Sequence, residues 1–118
     1  MDNTSTPLTF QQAIDLFRQI YRRFEKIEGR PWGIEGSVME LVKQVGELAK
    51  HVMVAEKYYF TGRETIKGYE TNKEISGDEL ADIFAMLVRI SDYYGIDLEQ
   101  AHIQARRMEA ESLDERGV

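Results

Sequence analysis

The chain has 118 residues, 42% of them hydrophobic and 31% charged, which is enough material for one domain with a compact core. Its formal net charge of −6 excludes the basic surface that binding to a nucleic-acid polymer requires. The lack of cysteine excludes disulfides and thiolate metal sites. The lack of a secretory signal or an apolar run of about 18 residues predicts a cytoplasmic protein without a membrane span.

The first predicted helix runs from Phe10 to Ile27, because its apolar residues recur at steps of three and four. Thr9 and Gln12 match the capping box that begins many helices. Pro31 follows shortly after the last apolar position, and proline cannot continue a helix.

The second predicted helix extends from Ser37 to Tyr59 and carries Gly46 within its apolar pattern. A glycine at such a position often allows another group to approach the backbone closely. Residues 60–76 show poor periodicity and are predicted to form a long connection with at most one helical turn. Long connections in compact domains are more often functional than idle.

The third helix is predicted from Gly77 to Tyr94, and the fourth from its N-cap Asp97 to Ser112. Residues 1–8 and 114–118 are expected to fray. The sequence therefore predicts a single all-α domain over residues 1–118, a four-helix bundle with one long crossing connection. A chain this small gains stability by burying further surface, so we expect a homo-oligomer.

Two groups of polar side chains lie on the second and third predicted helices. Glu40, Gln44 and Glu47 are separated by four and three residues, so at about 100° per residue they share one stripe. Glu79 and Asp82, three residues apart, share another. Both stripes border apolar faces, which would bring them together between two packed helices. Oxygen ligands of this kind suit Mg²⁺, with Mn²⁺ as an alternative.

A structural interpretation of the same acids remains open. Two of the glutamates follow a serine by three residues, as a capping box requires. These pairs are Ser37 with Glu40 and Ser76 with Glu79. Asp82 can in turn pair with Arg89 or Lys73. On this interpretation the acids only begin helices or form ion pairs, and the chain is a helical interaction module.

The sequence resembles the MazG-like superfamily of all-α nucleotide pyrophosphohydrolases in three short motifs. V-G-E-L at 45–48 is similar to the first, which is built around E-x-x-E. E-L-A-D at 79–82 matches the second, E-x-x-D, on the following helix. G-I-D-L at 95–98 is similar to the start of the last helix in that family. The resemblance extends over roughly residues 37–105.

The resemblance implies a hydrolase that converts a nucleoside or deoxynucleoside triphosphate to the monophosphate and pyrophosphate, for example in cleaning the nucleotide pool. It implies Mg²⁺ held by four acids, in a homodimer or homotetramer. Glu47, Glu79 and Asp82 occupy three of the ligand positions and are the implied catalytic residues.

The fourth ligand position departs from the pattern of the family. Gln44 stands where glutamate is usual, and Lys43 replaces a further glutamate beside it. An amide oxygen can bind Mg²⁺ but contributes no charge. Glu40, one turn earlier on the same stripe, is a candidate to compensate. The chain is then either a working variant or a weakened homologue that binds metal or nucleotide in a regulatory role.

Four further side chains are candidates for contacts with the substrate. They are Arg106, Lys50, Lys73 and Trp32. The cations would neutralise phosphates and the indole would stack on a base, whereas the alternatives are solvated charges and an indole packed in the core or an oligomer interface. His51 and His102 are isolated in the sequence, and no role is assigned to them.

Overall fold

A computed structural model describes residues 7–118 of the chain. The helices are α1 (Phe10–Glu25), α2 (Gly33–Ala55), α3 (Lys73–Tyr93) and α4 (Leu98–Glu115). The connection between α2 and α3 contains a 3₁₀ turn (Arg63–Thr65), and there is no strand in the described range. This confirms the all-α class and the long connection with one turn. None of these helices is both long and apolar enough to cross a bilayer.

Two of the predicted helix starts are confirmed in atomic detail. The Thr9 hydroxyl accepts a hydrogen bond from the Gln12 amide at 3.1 Å, and the Gln12 side chain accepts one from the Thr9 amide at 2.9 Å. At α4, the Asp97 carboxylate accepts from the Gln100 amide at 3.0 Å. Short polar side chains therefore satisfy amides that have no partner within the helix.

Helices α2 and α3 each begin four residues before their predicted starts. The N-cap of α3 is Asn72, whose side chain accepts from the Ile75 amide at 2.8 Å. Trp32 precedes α2 without a side-chain cap, so the sequence carries no start signal there. Helix α2 also ends early, at Ala55, because Lys57 adopts a φ of 61°, which a right-handed helix cannot contain.

Helix α4 continues to Glu115, past the predicted end at Ser112, so the segment expected to fray is partly helical. Residues 1–6 lie outside the described residues. They include most of the N-terminal segment that is expected to fray and the stretch in which a secretory signal would begin.

Helix α1 is fixed to α3 by an ion pair in which both partners are partly buried. The guanidinium of Arg18 donates two hydrogen bonds to Asp92, from Nε at 2.9 Å and from Nη2 at 3.1 Å. The Tyr21 hydroxyl donates to the same carboxylate at 3.3 Å. Its hydrogen bond to Asp92 raises the pKa of Arg18, while burial and then Asp92 raise the pKa of Tyr21. Both groups therefore keep their protons at neutral pH.

The interior, where α2 packs on α3, is small and half polar. Within residues 7–118 the buried apolar side chains are Val54, Met86 and Val88. The buried polar ones are Ser37, Gln44, His51 and Ser91. Helices α1 and α4, which the structure describes in full, contribute no buried residue. The radius of gyration is 18.2 Å, against roughly 13 Å for a compact domain of about 100 residues. The chain alone thus leaves much apolar surface uncovered.

We expect Asp92→Asn to lower the free energy of unfolding by about 1–2 kcal/mol, because it removes the charge that binds the partly buried Arg18 to α3. Urea denaturation measures this change. Asp15→Asn is the matched control: Asp15 also accepts from Arg18 at 2.9 Å, but its side chain is 53% exposed and it lies on the same helix. Its removal should cost less than about 0.5 kcal/mol. Equal losses in the two variants would show that the contact between α1 and α3 does not depend on Asp92.

Candidate metal centre

The side of α2 that faces α3 carries a polar row. Glu40, Gln44, Glu47 and His51 follow one another at steps of four, three and four, so they share one stripe of the helix. Gln44 and His51 are buried on this stripe, and the side chain of Glu40 is 22% exposed. Helix α2 therefore contributes more polar than apolar side chains to this interior, where Val54 is its one buried apolar residue among those described.

Glu79 of α3 completes a compact group with two residues of this row. Glu47, His51 and Glu79 each offer a ligand atom, and these atoms lie within 4.8 Å of one another. His51 Nε2 lies 4.0 Å from Glu79 Oε1. The structure thus brings together two of the acids singled out from the sequence and adds a histidine to them. A group of this size can hold a single cation.

His51 joins the acids although its sequence neighbourhood assigns it no role. It lies four residues after Glu47 on the same stripe of α2 and is 6% exposed. The spacing from Glu47 is the signal that could have placed it beside the acids. Its contact with Glu79 could not have been read from the spacing, because it depends on how α3 is set against α2.

The interpretation of the acids as capping residues is wrong. Ser37 lies inside α2, where its hydroxyl donates to the Gly33 carbonyl at 3.1 Å. Ser76 lies inside α3, since Asn72 caps that helix. Neither serine begins a helix, so Glu40 and Glu79 do not cap helix starts.

Two buried polar atoms on this side of α2 have no hydrogen-bond partner in the part of the chain that the structure describes. They are Gln44 Oε1 and His51 Nδ1. The amide nitrogen of Gln44 donates to Glu40 Oε1 at 3.2 Å, which leaves the carbonyl oxygen without a partner. A buried unpaired acceptor costs about 1–3 kcal/mol, so a cation bound by this oxygen would relieve a strain that the fold otherwise carries.

Lysines on α2 partly neutralise the acids. Lys43 Nζ lies 3.0 Å from Glu40 Oε1, and Lys50 Nζ lies 3.0 Å from Glu47 Oε2. The hydrogen bond from Lys50 lowers the pKa of Glu47, and the bond to Glu40 raises the pKa of Lys43. Lys50, a predicted phosphate contact, therefore binds a candidate metal ligand and also lies 5.3 Å from the centre of the Tyr69 ring.

Asp82 lies at the edge of this arrangement rather than inside the compact group. The residue as a whole is exposed, but partial burial of its carboxyl group raises its pKa, and the nearby Asp78 and Glu40 add to the effect. The suggested partner Arg89 instead binds Glu28 at 3.5 Å. Among the described residues Asp82 takes part in no ion pair, so its carboxylate is available to a ligand or a water molecule.

The remaining predicted contacts with substrate lie in other environments. Arg106 is held on α4 by Glu109 and approaches His102 Nδ1 at 3.4 Å. The guanidinium of Arg89 lies over the Trp32 ring, 4.9 Å from the ring centre, which is a cation–π contact within the chain. Lys73 is the first residue of α3.

A broad groove between α1, α3 and the start of α4 is separate from the acids. Its lining includes Phe10, Ile14, Phe84 and Ile103, and it contains none of the candidate metal ligands. The surface of the groove is mostly apolar, and its charged lining includes Arg18 and Asp92, which bind each other.

In comparisons with known proteins, no family model, no curated protein and no solved structure matches this chain. A function must therefore be argued from the residues and their geometry.

We expect this centre to bind Mn²⁺ more tightly than Mg²⁺, because an imidazole ligand suits Mn²⁺ better than Mg²⁺. His51→Gln should weaken Mn²⁺ binding about tenfold and change Mg²⁺ binding much less. Calorimetric titration with each cation measures both affinities. His102→Gln, the same change on α4, is the control and should leave both unaltered. Unchanged Mn²⁺ binding in His51→Gln would exclude His51 as a ligand.

In the presence of a chelator, we expect Asp82→Asn to increase stability slightly at neutral pH. Because the pKa of Asp82 is raised on folding, the folded protein holds this proton more tightly than the unfolded chain. The stability it confers is present below the ordinary aspartate pKa of about 3.9 and is lost as the pH rises through the folded value. Asparagine does not ionise and so avoids that loss. The gain in stability is small, because the residue is exposed. Urea midpoints of the variant and the parent protein at pH 3 and pH 7 test this. A variant with a lower midpoint than the parent at pH 7 would contradict it.

Proposed function

We propose that this chain is a metal-dependent nucleoside triphosphate pyrophosphohydrolase of the MazG-like type. It would cleave a nucleoside or deoxynucleoside triphosphate between the α and β phosphates, giving the monophosphate and pyrophosphate. The observation that carries the proposal is the convergence of Glu47 and Glu79 between α2 and α3, at positions where the resemblance places metal ligands.

The cation required by the proposal is Mg²⁺ or Mn²⁺, and the donor set fits it. Glu47, Glu79 and His51 would hold the ion, and the unpartnered carbonyl of Gln44 is a further ligand for it. When bound, a divalent ion polarises phosphate oxygens and lowers the pKa of an attacking water. Such an ion, held by the carboxylates, would offset the net charge of −6 and allow an anionic substrate to bind.

Asp82 is suited to accept the proton of the attacking water. Its carboxylate belongs to no ion pair of the described residues, and its raised pKa makes it a stronger base than an ordinary aspartate. In this scheme water oxygen bonds to the α phosphorus, its proton passes to Asp82, and the bond from the α phosphorus to the bridging oxygen breaks. Pyrophosphate leaves with the electrons of that bond.

Lys43 and Lys50 are the cations closest to the acids and are placed to exchange partners. Each binds a glutamate at 3.0 Å on the surface of α2. If that glutamate turns to a metal ion, the ammonium group becomes available to a phosphate oxygen. The interpretation of Lys50 as a phosphate contact is compatible with its present bond to Glu47.

The proposal is tested by incubating the protein with a panel of nucleotides and Mg²⁺ or Mn²⁺ and measuring pyrophosphate. We expect metal-dependent release that Glu79→Gln lowers at least about 100-fold, the usual scale for losing a group that acts in the reaction. Glu111→Gln, an exposed glutamate on α4, is the matched control and should retain activity. No release with any nucleotide, or equal activity in the two variants, would refute hydrolysis at this centre.

A second function is favoured by the lysines and by Gln44. A neutral ligand and two glutamates bound by lysine weaken the negative field that holds a divalent ion. The chain would then bind metal and nucleotide in a regulatory role without turnover. Gln44→Glu separates the cases: a gain of pyrophosphate release shows that a ligand has been lost, whereas a decrease shows that glutamine belongs to a working site. A helical interaction module would show no saturable binding of either cation.

A further inference from the structure

The connection that follows α2 forms a small cavity beside the end of that helix. We call it the connection cavity. Its volume is about 90 Å³, roughly that of three water molecules in the liquid, so it has room for one small ion. The residues that line it are Val54, Lys57, Tyr59, Thr61, Arg63 and Glu64. None of the candidate metal ligands is among them, so the cavity is separate from the metal centre.

Arg63 brings a positive charge to this cavity without a carboxylate to balance it. Its guanidinium carbon lies 4.1 Å from the centre of the Tyr59 ring and 4.5 Å from that of Tyr69. Nη2 donates to the Tyr69 hydroxyl at 2.9 Å, whereas Nε is buried and has no hydrogen-bond partner among residues 7–118. No ion pair joins Arg63 to an acid in this range. The rings fix the position of the cation and leave it donors for an anion.

Lys57 supplies a second cation from a backbone conformation that lysine rarely adopts. It follows the C-cap of α2 with a φ of 61°, in the left-handed region. The Lys57 amide donates to the Val54 carbonyl at 3.1 Å, and the Tyr58 amide donates to the Met53 carbonyl at 2.9 Å. These two bonds define a Schellman motif, in which the left-handed residue is usually glycine.

Helices α3 and α4 end in the same motif, and there the left-handed residue is glycine. Gly95 has a φ of 66° after α3, and Gly117 has a φ of 72° after α4. Glycine enters this region without the steric cost that a Cβ atom brings. Strained residues cluster at sites that bind ligands. The lysine kept at this position beside the cavity therefore indicates a use for its side chain.

Thr61 and Glu64 complete the polar lining and have opposite effects on an anion. Thr61 offers a hydroxyl that can donate to an oxyanion. Glu64 is exposed and forms no ion pair with Lys57 or Arg63. It lowers the affinity for an anion without neutralising either cation. The lining therefore has one more cation than it has acids.

From these observations we propose that the connection cavity binds one phosphate group, without the help of a metal ion. Arg63 and Lys57 supply the charge, and the Thr61 hydroxyl supplies a further donor, which together suit a tetrahedral anion with several oxygens. The phosphate is either free or part of a nucleoside monophosphate. The inference does not rest on the proposed function, because no candidate metal ligand lines the cavity.

Calorimetric titration of the whole chain with inorganic phosphate, in a chelator and at low ionic strength, is the first test. We expect saturable binding that weakens as salt is added. Lys57→Gly removes a cation and relieves the strained backbone, so the affinity should fall about tenfold while the urea midpoint rises. Lys67→Gly changes a lysine of the same connection outside the cavity and should leave the affinity unaltered. No binding by the parent, or unchanged binding in Lys57→Gly, would overturn the proposal.

Glu64→Gln tests the site in the opposite direction, so a loss of folding cannot imitate the expected result. It removes the acid of the lining and should raise the affinity for phosphate severalfold. Glu111→Gln, an exposed glutamate on α4, is the matched control and should have no effect. No gain in Glu64→Gln, or an equal gain in Glu111→Gln, would show that the anion does not bind in this cavity.

Titration with a nucleoside monophosphate and with the same nucleoside identifies the source of the phosphate. Equal affinity for inorganic phosphate and the monophosphate shows that the free anion is sufficient. Tighter binding of the monophosphate, without binding of the nucleoside, shows that a nucleotide carries the phosphate. A nucleoside that binds as tightly as its monophosphate would overturn the proposal, since the phosphate would then contribute nothing. The chelator keeps the metal centre out of all these measurements, so they are independent of any hydrolysis.

Discussion

The contact between α2 and α3 determines the rest of this structure, and it is unusual in being polar. Gln44 and His51 are buried at it, whereas the interior of a helix pair is ordinarily apolar. Buried polar atoms are costly unless they are paired, and both side chains keep an atom without a partner. A cation bound there, as proposed above, would give these atoms a partner.

Because polar side chains take most of the buried positions of α2, all of its valines and methionines except Val54 lie elsewhere. They form the outer face around Val42 and Val45, which is exposed in the single chain. The inner side of α2 instead lies against α3, where His51 approaches Glu79.

The sequence predicted well those features that depend on neighbours along the chain. The all-α class, the capping box of Thr9 and the N-cap Asp97 are each set by a few adjacent residues, and all are confirmed. The starts of α2 and α3 are less well predicted, since serine–x–x–glutamate occurs inside both helices and does not mark where they begin. At Ser37 the hydroxyl bonds to a carbonyl of the preceding turn, which the residue pattern alone cannot distinguish from a cap.

What the sequence alone determined is which side chains share a face: Glu40, Gln44 and Glu47 on one helix, and Glu79 and Asp82 on another. Helical periodicity fixes that relation, since side chains three and four positions apart point the same way.

Which of these faces meet, and at what distance, was decided by the tertiary structure. It added His51 to Glu47 and Glu79, left Asp82 at the edge of the group, and placed Trp32 under Arg89. Those contacts depend on how far one helix is shifted and rotated against another. The packing of many side chains sets that shift, and no short motif records it.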